Sequence, residues 1–567
     1  MSPTYWQGSY FSYILYTIYI KIFLLHFLWF WVIINEIVKG GFMTVMDKMK
    51  SILVVLLTFI LLLSGCGNSS DQINNNPSNT TSKDESVTKS ITLPYTSTDS
   101  LDPFKVKTKS NGEIVRLLFD SLITVNENFA PTNVLADRII LTDESCSVFL
   151  KKTPKFTDGS PVTAKDVIYS INLARNAKDL YYSQNLINVS SVTEGSDGSV
   201  VISLKHADDY FTNLLDFPII KANTDGKKNE DNKDIPPVGT GRYTFLENSG
   251  EYKLVSNKNW YGGKVNIEEI NLLNLPDQDA VDYAVKSGKI SICYSDLSNN
   301  TAPSMIGSSV YVPMNNLVYL GVSSSGVMTN LSIRRAISYG LNRAEIVTSA
   351  YYGAATPAKG IYHSSFYDAI GFQTISEKED IENVEKNLKQ AGFTKKEDSG
   401  YFYNKNNKQL SLTLVYNNSN SARGLAADLI SKQLSKFGIN ITVKALPFAE
   451  YQNAIKYNSC DLYIAEIKIP ANMVPYSLLT AGGIKTASHD DIVNEKGETV
   501  ISAAHAAFNM QNGTGTLSET VSCFNEQLPV IPLCHRSGKL IYKGLSEGLK
   551  PTSFDPLNGL QNVSIIE

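Results

Sequence analysis

The stretch KFTDGSPVTAKDVIYSI, Lys155–Ile171, carries several local instructions in a short span. Phe149, just upstream in SVFLKK, reads as a strand residue. Asp158-Gly159 marks a turn, because glycine takes a positive φ at no steric cost. Thr163 is followed three residues later by Asp166, the spacing of a capping box, and Val167, Ile168 and Ile171 then supply the apolar face of a helix. Strand, turn and capped helix in this order predict a mixed α/β chain. Thr163 and Asp166 are read as structural, serving the cap and the helix dipole rather than a ligand.

Outward from this segment the same alternation continues. Ser90–Pro94 reads as a strand followed by a polar loop, and Ile114, Leu117, Leu118 and Leu122 have helical spacing. Turns are expected at Asn223–Asp234 and Asn257–Gly263. A strand begins near Leu317 in NNLVYLGVSSSG, and a helix pair follows in LSIRRAISYGLNRAEIVTSAYYG. Arg334, Arg335 and Arg343 on that pair are expected to be salt-bridged at the surface. Leu410–Tyr416 alternates with period 2 and Leu425–Phe437 with period 3.6. CDLYIAEIKIP gives a further strand, and LPVIPLCHRSGKLIYKG a late strand pair. No repeat of fixed period is present.

At 567 residues the chain exceeds one core, so at least two domains are expected. Its net charge of −4 argues against a polyanionic partner such as nucleic acid. The six cysteines form no C-x-x-C pair; they are read as buried or free thiols, with a Cys523–Cys534 bridge as an unsupported alternative. No H-E-x-x-H, G-x-S-x-G or Walker loop occurs, which argues against an enzyme, and no cofactor is implied. Glu268 and Glu269 are adjacent on a strand and point apart, as surface charges would. His206, His363, His489, His505 and His535 show no metal-ligand spacing, although folding can still bring distant residues together.

The N-terminal seventy residues bear on compartment. Lys48 and Lys50 precede an apolar run, Ser51–Leu63, too short for a comfortable membrane span. Leu63-Ser64-Gly65-Cys66 then matches the bacterial lipobox, whose cysteine thiol takes a diacylglycerol. Cys66 would be the lipidated first residue of the mature chain, after a signal peptide over 43–65. The polar tract 66–89 would be a tether, too hydrophilic to bury a core. Residues 1–42 are either an extra membrane segment or upstream DNA read through. Lys39-Gly40-Gly41-Phe42-Met43 can be encoded as a ribosome-binding site and start codon, which favours the second reading.

Four segments carry a family resemblance. They are LDP at Leu101–Pro103, KFTDGSPVTAKDVIYSI, the block PPVGTGRYTF with NKNWYGGK, and the block IRRAISYGLNRAEIV with GAATPAKG. In this order they resemble the family 5 extracellular solute-binding proteins, the receptors of peptide and nickel ABC importers, from about Lys89 onward. The resemblance implies an α/β, two-lobe periplasmic-binding-protein-like fold of type II, large cluster C, with the ligand cleft between the lobes. Lobe I would be 90–315 rejoined by 535–567, and lobe II 316–534. Crossing strands near Leu317–Val322 and Pro529–Leu533 would form the hinge.

The implied function is to catch a small, oligopeptide-like solute outside the cell and pass it to permease subunits driven by cytoplasmic ATPases. The protein would be a monomer, lipid-anchored at the extracellular face of the membrane. The alternatives are a sensory or adhesive lipoprotein with the same fold, and a surface hydrolase. Candidate ligand residues are Tyr95 and Ser97 after the first strand, Tyr319 on the hinge strand, and Glu466, Lys468 and Asn472 in DLYIAEIKIPAN. A solvated loop is the competing reading for the first two. Exposed edge-strand charges are the competing reading for Glu466 and Lys468. In the peptide receptors a W-x-A-D-Y motif supplies an Asp for the peptide's amine. Here Ile467 and Pro470 occupy the Trp and Asp positions, so Glu466 is expected to meet a ligand ammonium and Lys468 a carboxylate.

Overall fold

The computed structural model describes residues 90–230, 232–297, 304–473 and 517–566. Cys66, the leader and tether readings, His489 and His505 lie outside them. The segment Lys155–Ile171 folds as its residues dictate. The Phe156 amide donates to the Ser160 carbonyl at 2.8 Å across the turn, with Gly159 at φ 85°. The helix Ala164–Asn176 starts at a capping box. One oxygen of Asp166 accepts from the Thr163 amide at 2.9 Å and its hydroxyl at 2.6 Å, and the other accepts from the Ala222 amide at 2.9 Å. Val167, Ile171 and Ala174 bury the apolar face against Val148, Val200 and Ile202. Those residues come from a four-stranded sheet in the order Ala136–Leu141, Ser145–Leu150, Val200–Leu204, Val189–Glu194.

The chain has a two-lobe α/β fold. One lobe also contains a second four-stranded sheet, in which Ile91–Tyr95 pairs in parallel with Glu269–Asn274 and the hairpin Tyr243–Asn248/Glu251–Ser256 completes the order. Ile91, Leu93, Leu254 and Ile270 form its core with Leu117 of the helix Lys109–Leu118. The other lobe is built on a larger mixed sheet, ordered Ile292–Ser295, Val530–Tyr542, Ser308–Val322, Leu462–Lys468, Ser411–Asn417, Asn440–Leu446. Its core gathers Leu412, Leu414, Leu462 and Ile464 with Ala426, Ile430 and Leu434 of the helix Ser421–Lys436.

Two long antiparallel strands run from one core to the other. Val312 and Leu540 pack with Ile91 and Ile270, whereas Val318, Leu320, Ile531 and Leu533 pack with Leu412 and Ile464. Their register breaks between Pro313 and Leu317 and again between Val318 and Tyr319, where the strands leave one core for the other.

Several expectations are corrected. The late strand pair is one continuous strand, Val530–Tyr542. Ser308–Val322 pairs along one side of it, and Ala355–Pro357 and then Ile292–Ser295 along the other, which keeps it extended. The first helix ends at Leu118 because Phe119 turns extended (φ −134°, ψ 131°), so Leu122 joins a different core. Arg334 and Arg343 are not surface residues; they are 1% and 0% exposed. Arg343 donates to the carbonyls of Pro532, Ser338 and Ser376, and Arg334 to those of Gln527, Met328 and Thr329. A guanidinium carries five donors, enough to satisfy several carbonyls that their own elements leave over. Burial without a carboxylate partner lowers Arg343 to about 9. Cys534 is a free buried thiol, as the preferred reading of the cysteines expected, and not half of a bridge.

Candidate functional site

The helix Lys109–Leu118 is held by the loop before it. Asp99 accepts from the amides of Lys107 and Thr108, and Asn111 accepts from the Thr96 amide while donating to its carbonyl. This rigid anchoring fixes which helix face is apolar: Ile114, Leu117 and Leu118 face the core. The face carrying Lys109, Glu113 and Arg116, at i, i+4 and i+7, therefore points away from it.

That charged face lines a cavity of about 610 Å³, within the size range of small-molecule sites. Tyr182, Asn185, Asn213, Asp216 and Tyr294 add to the same wall. Lys468, Pro470 and Ala471, at the end of the strand Leu462–Lys468 in the other lobe, close it from the opposite side.

The charges in this cavity are unevenly satisfied. Arg116 pairs with Asp216 at 2.5 Å, and Ser121 donates to the same Asp216 oxygen at 3.2 Å. The second oxygen of Asp216 is buried and has no hydrogen-bond partner among the described residues. Burial raises this carboxyl above its ordinary value even though Arg116 opposes the shift. Glu113 has a long ion pair with Lys109, 3.9 Å, and its Oε1 is likewise buried without a hydrogen bond. Burial pushes its carboxyl up to about 7, with Lys109 opposing and Asp555 adding to the rise. Lys109 itself donates to the Tyr294 carbonyl. Among the described residues Lys468 forms no ion pair; desolvation lowers its ammonium, with Asp296 opposing.

Of the candidate ligand residues, the fold brings Lys468 alone to this cavity. Tyr95 is buried between Phe245 and Tyr252, at ring distances of 5.7 and 4.9 Å, as a core residue. The Ser97 amide donates to Asn274 Oδ1, and neither residue lines the cavity. Asn472 donates to Asp208 Oδ2 at 2.7 Å. Beside it Asn213 donates to the Ala471 carbonyl at 2.9 Å, so this loop is tied to the segment Asp208–Asp216.

Glu466 is engaged within the protein. Its Oε1 accepts from Arg536 Nε at 2.8 Å and Asn316 Nδ2 at 2.8 Å, and its Oε2 from Arg423 at 3.4 Å. Desolvation works against its charge, but Arg536, Asn316 and Arg423 outweigh it and hold the carboxyl below its ordinary value. With Tyr319 it lines a second cavity of about 670 Å³ under the helix Phe448–Lys456. There Tyr319 is fully buried against Tyr463, and its hydroxyl lacks a hydrogen-bond partner among the described residues.

Sequence reasoning missed Glu113, Arg116 and Asp216. The helical spacing of the first two was a signal, but a charged helix face is ordinarily a solvated one. It also missed that His363 and His535 meet edge to face, with ring centroids 5.4 Å apart, inside the protein. Burial lowers them to about 4 and 3 respectively, which keeps both neutral. Among the described residues no group of three or more His, Cys, Asp or Glu is placed to hold a metal ion.

Comparison with known proteins places these features in context. The family model for bacterial extracellular solute-binding proteins, family 5 middle, matches residues 132–485. A Brucella ovis protein named as a peptide-binding component of an ABC transporter is 26% identical over 336 residues, 56% of this chain and 60% of that protein. The matched stretch thus spans about three fifths of that relative's length. The oligopeptide-binding protein AppA of Bacillus subtilis is 25% identical over 71% of this chain and 76% of its own. In structure, the unliganded open form of the periplasmic murein tripeptide binding protein MppA matches with a TM-score of 0.66 at 19% identity, covering 84% of this chain and 98% of its own. The Bacillus halodurans structure described as a nickel ABC transporter matches with a TM-score of 0.65 at 19% identity, over 84% and 99%.

Proposed function

The chain belongs to the bacterial extracellular solute-binding proteins of family 5, and on that premise we propose that it is the solute receptor of an ABC importer. It takes a small, oligopeptide-like solute between its lobes and hands it to a permease coupled to cytoplasmic ATPases. The observation that carries this reading is the 610 Å³ cavity, whose walls come from both lobes and whose polar groups are incompletely satisfied. A site of that kind is built to be completed by a ligand. The two long strands that link the cores serve as the hinge, and closure about them hides the solute from water. Native mass spectrometry of the full chain, purified without refolding, tests the reading. A retained small solute is the expected result. A chain that neither carries one nor binds any member of a broad peptide pool overturns it.

The membrane anchor in this proposal is the lipid on Cys66. Cys66→Ala removes the only thiol in the lipobox, so the variant is expected to lose palmitate labelling and to leave the membrane fraction, because firm anchoring takes more than one acyl chain. A variant that still labels and sediments with membranes overturns the anchor.

A further inference from the structure

Four cations and two carboxylates line the 610 Å³ cavity. Arg116 and Asp216 form an ion pair at 2.5 Å and cancel. Lys107, Lys109 and Lys468 are then opposed by Glu113 alone, an excess of positive charge in a chain whose net charge is −4. The two signs also differ in reach. The side chains of Asp216 and Glu113 are 4% and 15% exposed, and each has an oxygen shut away from solvent. The Lys109 side chain is 48% exposed, and Lys107 and Lys468 are exposed as well. A solute entering the cavity therefore meets ammonium groups before it meets carboxylates.

These lysines find little compensation inside the protein. Lys109 has the long pair with Glu113 at 3.9 Å, a bond to the Tyr294 carbonyl, and the face of the Tyr294 ring at 4.9 Å. Lys107 and Lys468 form no ion pair among the described residues. The carboxylate that acts on Lys468, Asp296, lies outside the lining. The positive groups also flank the cavity. Lys107 and Lys109 stand at the start of the helix Lys109–Leu118, and Lys468 at the end of the strand Leu462–Lys468 in the other lobe. A cleft lined by one sign of charge between low-dielectric walls focuses its field on whatever enters.

We infer that this cavity selects solutes of net negative charge: acidic, peptide-like molecules whose side-chain anions meet Lys107 and Lys109 on one lobe and Lys468 on the other. This deepens the receptor reading and rests on it. The selection acts on the charge along the body of the solute and is independent of its ends. Each anion gives an ammonium a charge-assisted hydrogen bond, which is worth on the order of tenfold in affinity. A basic side chain in the same place faces like charge and is rejected.

The test is affinity capture by the full chain from three pools of peptides of one length with the same free termini, differing only in side-chain charge: acidic, neutral and basic. Wild type is expected to retain acidic peptides over neutral ones on the order of tenfold or more, and neutral over basic. The preference is expected to shrink between about 0.01 M and 1 M salt, as the screening length falls from ~30 Å to ~3 Å. Lys468→Met is expected to lower the acidic-to-neutral ratio on the order of tenfold, and Lys468→Arg to keep it. A single cooperative unfolding transition checks that each variant is folded, and Lys107→Met reads the same ratio from the other lobe. A native solute retained through purification is expected to be anionic. Neutral peptides retained as well as acidic ones, a folded Lys468→Met that keeps the wild-type ratio, or a neutral or cationic native solute overturns the charge assignment and leaves the receptor reading standing. If wild type retains no peptide from any pool and no native solute, the receptor reading itself falls, and this inference with it.

Discussion

At the scale of single residues, Glu466 and Glu113 are two carboxylates with opposite surroundings. Glu466 is 14% exposed and meets Arg536, itself 8% exposed, at 2.7 Å. Removing one partner of such a pair leaves a buried guanidinium uncompensated, so Glu466→Gln is expected to destabilise the chain by about 2–4 kcal/mol in chemical denaturation at pH 7. Because its folded value is depressed, that stabilisation is present above its ordinary value of 4.5 and is lost as pH falls through the lower folded value. An unchanged unfolding midpoint would show that the cluster contributes nothing. Glu113 runs the other way. Its carboxyl is raised from 4.5 to about 7, so its protonated form favours the fold below 4.5, and that contribution is lost as pH rises to 7. Glu113→Gln is expected to flatten this part of the pH–stability curve and to stabilise the unliganded chain by roughly 1–3 kcal/mol at pH 8. A curve that superimposes on wild type would mean that Glu113 is solvated.

At the scale of elements, the helix Ala164–Asn176 depends on one side chain at its start. Asp166 ties Thr163 and also the Ala222 amide, so it joins the helix cap to a loop far along the chain. Asp166→Ala removes the cap and leaves the Ala222 amide without this acceptor. A loss of about 2 kcal/mol is expected, with faster amide exchange over 164–176 than elsewhere. Uniform exchange across the chain would place the anchoring elsewhere. The capping box, the Asp158-Gly159 turn and the helix Ser421–Lys436 were legible in sequence because each is specified by residues within one or two turns of one another. The extent of Val530–Tyr542 was not. HRSG reads as a break, and only pairing with Ser308–Val322 on one side and Ala355–Pro357 on the other keeps it extended.

At the scale of the whole molecule, two lobes joined through long strands should move as rigid bodies about the register breaks near Pro313–Tyr319. Tyr283 and Tyr457, 70% and 68% exposed, lie on different lobes, so Tyr283→Cys and Tyr457→Cys place a pair of spin labels away from either core. Their separation is expected to shorten when the peptide pool is added, and an unchanged distance with bound peptide would count against hinge closure. The sequence by itself determined the alternation of strands and helices, the capped helix and the family motifs, because these depend on neighbours in the chain. Only the tertiary structure decided what each polar side chain meets. Tyr95 went to a core and Glu466 to a pair of arginines. Arg343 went to backbone carbonyls, and Glu113 to a cavity wall where its Oε1 meets only a long ion pair with Lys109 among the described residues. Tyr95, Glu466 and Arg343 each meet partners far along the chain, as Arg343 meets Pro532 189 residues away, and local pattern carries no information about contacts at that range.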